Sequence, residues 1–366
     1  MFNLKGQERK KQMKKIFLFG YYGFQNTGDE AILEAIIQQI KRILPDVSLT
    51  ALSYKAQDTL NKYNINAVSR NSFKEAVNAI RESDVVISGG GSILQDVTSS
   101  RSLLYYSAII FIAKKLGKKV MFYGNGFGPI TRYFNKKLVK YIINQVDVIT
   151  VRDYQSKEFM KSLGIEKDIV VTADIAFGLE AVTEEEIEKI RQQEEMENTK
   201  KWVGISIRPW KGQKDYKEVI AKTADYLIGR NYGVIFIPMQ FPSDVNAAKE
   251  IGAMMKETPK IIEKQYSPRE TIGIISKLDI LVGMRLHSLI FAAIAEVPMI
   301  GLEYDVKIKS FLKLVNQKNG GVVENLDIID LWSAIDDVIE HKAENIQLLK
   351  EVKKGLHKKM EMNIEI

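Results

Sequence analysis

The residues of this 366-residue chain best suited to chemistry are Gly283-Met284-Arg285-Leu286-His287-Ser288. They follow an apolar run, residues 278–282, that reads as a buried strand, and lead into residues 289–295, which read as the first turns of a buried helix. Open α/β sheets bind ligands at such a handover, and helix N-terminal amides there favour anions. Of the three histidines, His341 and His357 fall in a charged C-terminal stretch, so His287 is the candidate. The competing reading is that Arg285 pairs with a carboxylate and His287 caps the helix, because an unpartnered buried guanidinium is costly.

Further cations sit in equivalent places. Ser206-Ile207-Arg208-Pro209-Trp210 puts Arg208 at a strand end, Pro238-Met239-Gln240 ends the next strand, and Glu303-Tyr304-Asp305-Val306-Lys307 follows a later one. Arg208, Arg285, His287 and Lys307 therefore come from three loops on one predicted sheet edge, a convergence that suits an anionic ligand. In the first half, Gly20-Tyr21-Tyr22-Gly23-Phe24-Gln25-Asn26-Thr27-Gly28-Asp29-Glu30 brings Asn26 and Asp29 to a helix start. Asp29 is either a helix cap or a carboxylate that binds or deprotonates a hydroxyl. Gly89, Gly90 and Gly91 after the next buried strand let backbone amides approach a phosphate or sugar, or else serve close helix packing. They form neither a Walker loop nor a complete dinucleotide fingerprint.

The elements that must hold these loops alternate along the chain. Short apolar strands are predicted at 16–19, 47–50, 84–87, 120–123, 148–151 and 169–171, with helices at 31–42, 103–116, 136–145 and 156–163. A second series has strands at 203–206, 234–237, 261–262, 280–282 and 299–301. Unbroken apolar strands with helical crossovers predict parallel sheets covered on both faces. Between the series, Thr183-Glu184-Glu185-Glu186 opens a charged helix with a capping box, read as the inter-domain linker or a solvated helix beside it. The expected layout is a first Rossmann-like domain over 1–180, a linker over 181–201, a second Rossmann-like domain over 202–330, and C-terminal helices with a basic tail over 331–366. No internal repeat is visible.

Hydrophobic residues make up 45% of the chain, net charge is +7 and cysteine is absent. That composition supports two cores and excludes disulfides and thiolate metal sites. No apolar run is long enough for a membrane span, and the first residues lack an apolar signal core, so the expectation is a soluble cytoplasmic protein. Basic clusters around Arg9–Lys15 and Lys353–Lys359 read as solvated helix faces or as peripheral attachment to anionic membrane. No stretch interleaves aromatic and basic residues as an RNA-binding motif does, so no nucleic acid is expected.

In order along the chain, these motifs resemble the polysaccharide pyruvyl transferases, closest to the bacterial branch acting on secondary cell-wall polymers. The resemblance runs from about Ile16 to Phe311. It is carried by Gly20-Tyr21-Tyr22-Gly23, Asn26-Thr27-Gly28-Asp29-Glu30-Ala31, Ser88-Gly89-Gly90-Gly91 and Leu94-Gln95-Asp96. Tyr123-Gly124-Asn125-Gly126-Phe127-Gly128-Pro129, Thr150-Val151-Arg152-Asp153, Gly283-Met284-Arg285-Leu286-His287 and Tyr304-Asp305-Val306-Lys307 complete it. Asn125, Phe127, Ile175 and Val306 depart from the usual residues.

The resemblance implies a GT-B-like fold, two Rossmann-like domains facing a cleft, with neither metal nor cofactor. It implies transfer of a pyruvyl group from phosphoenolpyruvate to two hydroxyls of one sugar, giving a cyclic ketal. The acceptor it implies is an N-acetylmannosamine residue in a lipid-diphosphate-linked disaccharide, and the product a ligand for surface-layer proteins. Arg208 and Arg285 are assigned to the carboxylate and phosphate of the donor, with Lys307 as a third cation, because the arginine fork binds oxygen pairs. His287 is the candidate acid and Asp29 the acceptor-side carboxylate; Tyr304, Gln240, Asn26, Gly89, Gly90, Gly91, Asp96, Asn125 and Arg152 are expected in substrate binding. Two rivals share the architecture: a nucleotide-sugar glycosyltransferase, and a non-catalytic module that binds sugar phosphates.

Overall fold

The computed structural model describes residues 13–97, 99–210 and 215–365. Its first seven strands are β1 (Lys15–Tyr22), β2 (Ser48–Ser53), β3 (Asn66–Ser69), β4 (Val85–Gly89), β5 (Lys119–Asn125), β6 (Val148–Val151) and β7 (Val170–Val171). They form one sheet in the order β3-β2-β1-β4-β5-β6-β7. The next six are β8 (Lys201–Ser206), β9 (Tyr232–Phe236), β10 (Lys260–Ile261), β11 (Ile280–Gly283), β12 (Met299–Glu303) and β13 (Lys318–Val322). Their order is β10-β9-β8-β11-β12-β13. Every strand pairing within both sheets is parallel.

Burial explains why these runs are strands. Successive side chains of a strand point to opposite faces, so a strand buried without a break must be covered on both. In β1, Phe17, Leu18 and Phe19 are all fully buried, and in β11 so are Ile280 and Leu281. The first core joins Phe17, Phe19, Val86, Val120 and Phe122 to Leu103, Ile109 and Ile110 of the helix Ser100–Lys115. The second joins Val203, Ile205, Val234, Phe236 and Val282 to Tyr216, Ile220, Leu331 and Ile335.

The chain divides into two compact units that are not contiguous in sequence. The first takes the described residues up to Phe24, then Asp29–Gly178, and the chain from Leu356 onward. The second takes Gln25–Gly28 and Leu179–Gly355. The capping box at Thr183 forms, with Thr183 N donating to Glu186 Oε2 at 3.0 Å. The helix it opens, Glu184–Gln193, buries Ile187 and Ile190 and packs on the helix Pro268–Ile275 of the second unit. It is thus solvated on one face only.

The end of the long helix Lys342–Glu365 is also packed rather than trailing. Leu356, Met360 and Asn363, spaced at helical period, are buried in the first unit while Lys358 and Lys359 stay exposed. The Asn363 Oδ1 lies within hydrogen-bond reach of Thr150 Oγ1 and, at 3.0 Å, of Thr172 Oγ1. Asn363→Ala is therefore expected to destabilise the first unit by about 1 kcal/mol, the net worth of a buried hydrogen bond, since both hydroxyls keep a second partner in Phe122 O and Val151 O. Urea titration of parent and variant measures this, and superimposable curves would count against the docking described.

Candidate active site

In the second sheet the connections run one way from β8 through β9 and the other way from β11 through β12, so the topological switch point lies between β8 and β11. Arg208 follows β8, and Arg285 and His287 follow β11. The Arg208 guanidinium sits 4.7 Å from the Tyr304 ring and 5.5 Å from the Trp210 ring, and those two rings are 5.0 Å apart. Two buried polar atoms here, Arg208 Nε and Ser206 Oγ, have no hydrogen-bond partner among the described residues. Lys307 Nζ lies 5.6 Å from the Tyr304 ring and 3.5 Å from Asp305 Oδ2.

Tyr304 registers the field of these groups. Burial alone would push its phenol up, but Lys307, Arg208 and Arg285 together hold it below the ordinary tyrosine value. A phenol depressed in spite of burial marks an excess of positive charge around it, a setting that suits an anionic ligand.

Arg285 is paired. Its Nε donates to Asp244 Oδ2 at 2.9 Å and its Nη2 to Asp244 Oδ1. Asp244, 1% exposed, also accepts the amides of Met239 at 3.1 Å and Gln240 at 2.9 Å. The carboxylate alternative weighed for Arg285 is thus realised, in a bidentate pair that fixes the guanidinium and leaves its Nη1 edge outside the bond. The other half of that alternative is not: Arg285 is the N-cap residue of the helix Leu286–Ile294, without a side-chain cap bond, and His287 lies within its first turn.

A segment from early in the sequence completes this site. Asn26 bridges antiparallel to Gln240, with Asn26 Nδ2 donating to Gln240 Oε1 at 2.9 Å and Thr27 N to Met239 O at 2.8 Å. Gly28 then lies directly against the imidazole: a Cβ there would fall 2.1 Å from His287 Nδ1. Glycine in a helix costs about 1 kcal/mol relative to alanine, so close approach to His287 explains its use. Sequence reasoning places Asn26 and Gln240 separately and does not select Gly28, Asp244 or Trp210. Asp244 in the first turn of the helix Ser243–Gly252 reads as an ordinary dipole partner.

The remaining candidates lie in the first unit. Asp29 stands in the first turn of the helix Thr27–Ile43, with its Oδ1 3.1 Å from where a Cβ on Gly91 would be. The buried Tyr106 phenol lies in the fields of Arg70, Asp29 and Tyr21. Around Arg70 the rings of Tyr105, Phe24 and Tyr106 lie at 4.8, 4.9 and 5.6 Å. Phe24 stacks between Tyr21 at 4.0 Å and the exposed Tyr54 at 4.7 Å. Sequence reasoning does not single out Arg70, Tyr54 or Tyr105, since single residues after the strands β3 and β2 and within the helix Ser100–Lys115 carry no spacing signal.

Asp96, Asn125 and Arg152 are engaged in holding loops. Asn125 Nδ2 donates to Gly90 O at 2.9 Å and Ser88 Oγ at 3.1 Å, and Tyr22 Oη to Gly89 O at 2.8 Å. Arg152 Nη1 donates to Asp174 at 3.0 Å and its Nε to Asp153 at 3.3 Å. Asp96 accepts Thr131 N and Asn135 Nδ2 at 2.8 Å, and Arg132 N and Thr131 Oγ1 at 3.0 Å. Burial works to raise the Asp96 carboxyl, but these donors hold it at about 2.

Two outcomes follow from this geometry. Gly28→Ala is expected to displace the His287 ring while the fold persists, read as shifted imidazole signals in NMR; an unchanged His287 signal would contradict the contact. Asp96→Ala should cost about 2–4 kcal/mol at neutral pH, because it strands several buried donors. A depressed carboxyl stabilises fully above the ordinary carboxylate range, near pH 4, and the contribution is lost as pH falls through about 2. The gap between parent and variant should therefore narrow on acidification below about pH 4, and a gap that widened there would refute the bonding described.

The family described as polysaccharide pyruvyl transferase matches residues 26–306. A curated relative, the amylovoran biosynthesis protein AmsJ of Erwinia amylovora, is 21% identical over 279 residues, covering 71% of this chain and 64% of AmsJ. The chain thus spans just under two thirds of that relative's length. Among solved structures, MnaA of S. aureus with UDP superposes at a TM-score of 0.66 and 12% identity, covering 92% of this chain and 91% of MnaA. UDP-GlcNAc 2-epimerase of Neisseria meningitidis bound to UDP-GlcNAc gives a TM-score of 0.64 at 15% identity, covering 96% and 99%. At such identities the likeness is one of fold, a GT-B-like pair of α/β units shared with epimerases and glycosyltransferases. The match of the family over most of its length, residues 26–306, makes this chain a member of the polysaccharide pyruvyl transferase family.

Proposed function

We propose that the protein transfers the pyruvyl group of phosphoenolpyruvate onto two hydroxyls of one sugar, forming a cyclic ketal and releasing phosphate. The observation that carries the donor assignment is the convergence of cations on Tyr304, with the Arg208 guanidinium 4.7 Å and Lys307 Nζ 5.6 Å from its ring. Phosphoenolpyruvate brings a carboxylate and a phosphate, and a planar guanidinium suits either. Arg208, whose buried Nε has no hydrogen-bond partner among the described residues, is the principal donor ligand in this reading. Arg285 contributes its remaining edge and a fixed position, and Lys307 a third charge.

The proposed chemistry balances as follows. One sugar hydroxyl adds to C2 of the enol and gives its proton to the acceptor-side carboxylate, while a proton goes to C3, which becomes the methyl group. The C2–O bond to phosphate then breaks, and the second hydroxyl closes on C2, its proton passing to the departing phosphate. His287 is the proposed donor of the first proton, and a bound phosphate beside it would favour its charged form. Asp29 is the proposed acceptor-side carboxylate, and the Tyr21–Phe24–Tyr54 stack with Arg70 offers ring faces and a cation to a sugar and its diphosphate. The acceptor in this reading is N-acetylmannosamine in a lipid-diphosphate-linked cell-wall precursor, met at the inner face of the cell membrane. No cofactor or metal enters.

Mass spectrometry of a synthetic lipid-diphosphate disaccharide incubated with the protein tests the reaction. Phosphoenolpyruvate should add the mass of a pyruvate ketal and release phosphate. Transfer of a sugar from a nucleotide-sugar, with no ketal, would establish the glycosyltransferase rival. His287→Ala and His287→Gln should keep donor affinity while turnover falls by about 10²–10⁴-fold, the range for loss of a general acid. A folded His287→Gln protein that binds donor and turns over near normally would remove the proton-transfer role.

A further inference from the structure

The longest stretch of one charge sign in this protein contributes no residue to the donor site around Arg208 and Arg285. Residues 97–146 contain no aspartate or glutamate and nine basic residues: Arg101, Lys114, Lys115, Lys118, Lys119, Arg132, Lys136, Lys137 and Lys140. They include two adjacent helices of the first unit, Ser100–Lys115 and Tyr133–Ile143. Lys114 and Lys119 are spent on Asp147. Arg132, Lys136, Lys137 and Lys140 are exposed, and no carboxylate lies within salt-bridge distance of them among the described residues.

The same surface carries large apolar side chains. On the second helix Tyr133 is 73% exposed, Phe134 69% and Tyr141 59%, while Val139, Ile142 and Ile143 bury the opposite face. Lys137 Nζ lies 4.5 Å from the Tyr133 ring. On the neighbouring helix Leu104 and Phe111 are exposed two turns apart, with Lys115 Nζ 5.4 Å from the Phe111 ring. Exposed aromatics cost free energy in water, and a cluster of them ringed by lysines is the composition of a helix lying in a lipid interface.

We infer that the helix Tyr133–Ile143, flanked by Leu104 and Phe111, seats this protein on an anionic phospholipid surface. Tyr133, Phe134 and Tyr141 enter the headgroup boundary, where aromatic rings with a polar tip are favoured. Arg132, Lys136, Lys137 and Lys140 meet the lipid phosphates. Asp96 sets the angle of approach, because its bonds to Thr131, Arg132 and Asn135 fix the start of this helix. The inference gives the membrane clause of the proposed function a surface on the helix Tyr133–Ile143 instead of the basic termini, of which Arg9-Lys10-Lys11 lies outside the described residues. It does not depend on the donor chemistry.

The test is co-sedimentation of the full chain with phosphatidylcholine vesicles with and without phosphatidylglycerol. The parent should bind only the anionic vesicles. Tyr133→Ser with Phe134→Ser, and separately Lys136→Glu with Lys137→Glu, should each weaken binding by about thirtyfold, with melting temperature unchanged since these side chains are exposed. Lys358→Glu with Lys359→Glu should bind as the parent does. Loss of binding in that terminal pair with both helix pairs unaffected would overturn the inference, as would capture of RNA by the parent without capture of vesicles. Phosphoenolpyruvate affinity, measured by calorimetry on the same variants, should not change, so failure of the donor assignment is read separately.

Discussion

A carboxylate taken out of water must recover its lost hydration from donors fixed around it. Asp244 does so with one edge of the Arg285 guanidinium and the amides of Met239 and Gln240. That single group ties the end of β9 to the end of β11. Gln240, held by its own backbone, then presents its side chain to Asn26, and the segment through Gly28 is brought against His287. Removing one partner from so buried a pair leaves an uncompensated charge, so the arginine, the histidine and the early segment stand or fall together.

The pair also decides how charge is distributed. Asp244 offsets Arg285, and Asp305 lies near Lys307, so the surplus centres on Arg208. Arg208 is held by rings instead of acids, since Trp210 and Tyr304 offer π faces that stabilise a cation without cancelling it for a ligand. A guanidinium between aromatics stays available to bind, whereas one in a bidentate salt bridge is chiefly a fixture. The first unit uses the same device at Arg70, surrounded by Phe24, Tyr105 and Tyr106.

Periodicity makes the central strands legible, because β1, β4, β8 and β11 are buried on both faces and read as unbroken apolar runs. The edges are not legible in this way. Strand β3 (Asn-Ala-Val-Ser) and β13 (Lys-Asn-Gly-Gly-Val) lie at sheet borders, where burial no longer demands apolar residues. The cations at strand ends are legible as a group, since arginine and histidine after a buried strand have few structural uses. Their partners are hidden: Asp244, Gly28 and Trp210 act through contacts far apart in sequence, and nothing in their local pattern marks them. The basic ends of the chain draw attention by density alone. The acid-free stretch from 97 to 146 is just as visible in the sequence, but only exposure separates its surface aromatics from core ones.

The early segment Gln25–Gly28 also bears on how such proteins can be recombined. A gene cut near residue 179 follows the main boundary between the two units, yet four residues encoded near the start belong to the second unit, and the chain from Leu356 belongs to the first. A chimera joined at that point would give the second unit a foreign Asn26 and Gly28, and its histidine a neighbour that had not varied alongside it. Exchange of donor-binding halves between relatives therefore has to carry two pieces of sequence at once, Gln25–Gly28 and Leu179–Gly355. Inheritance of the site is by interleaved segments rather than by halves.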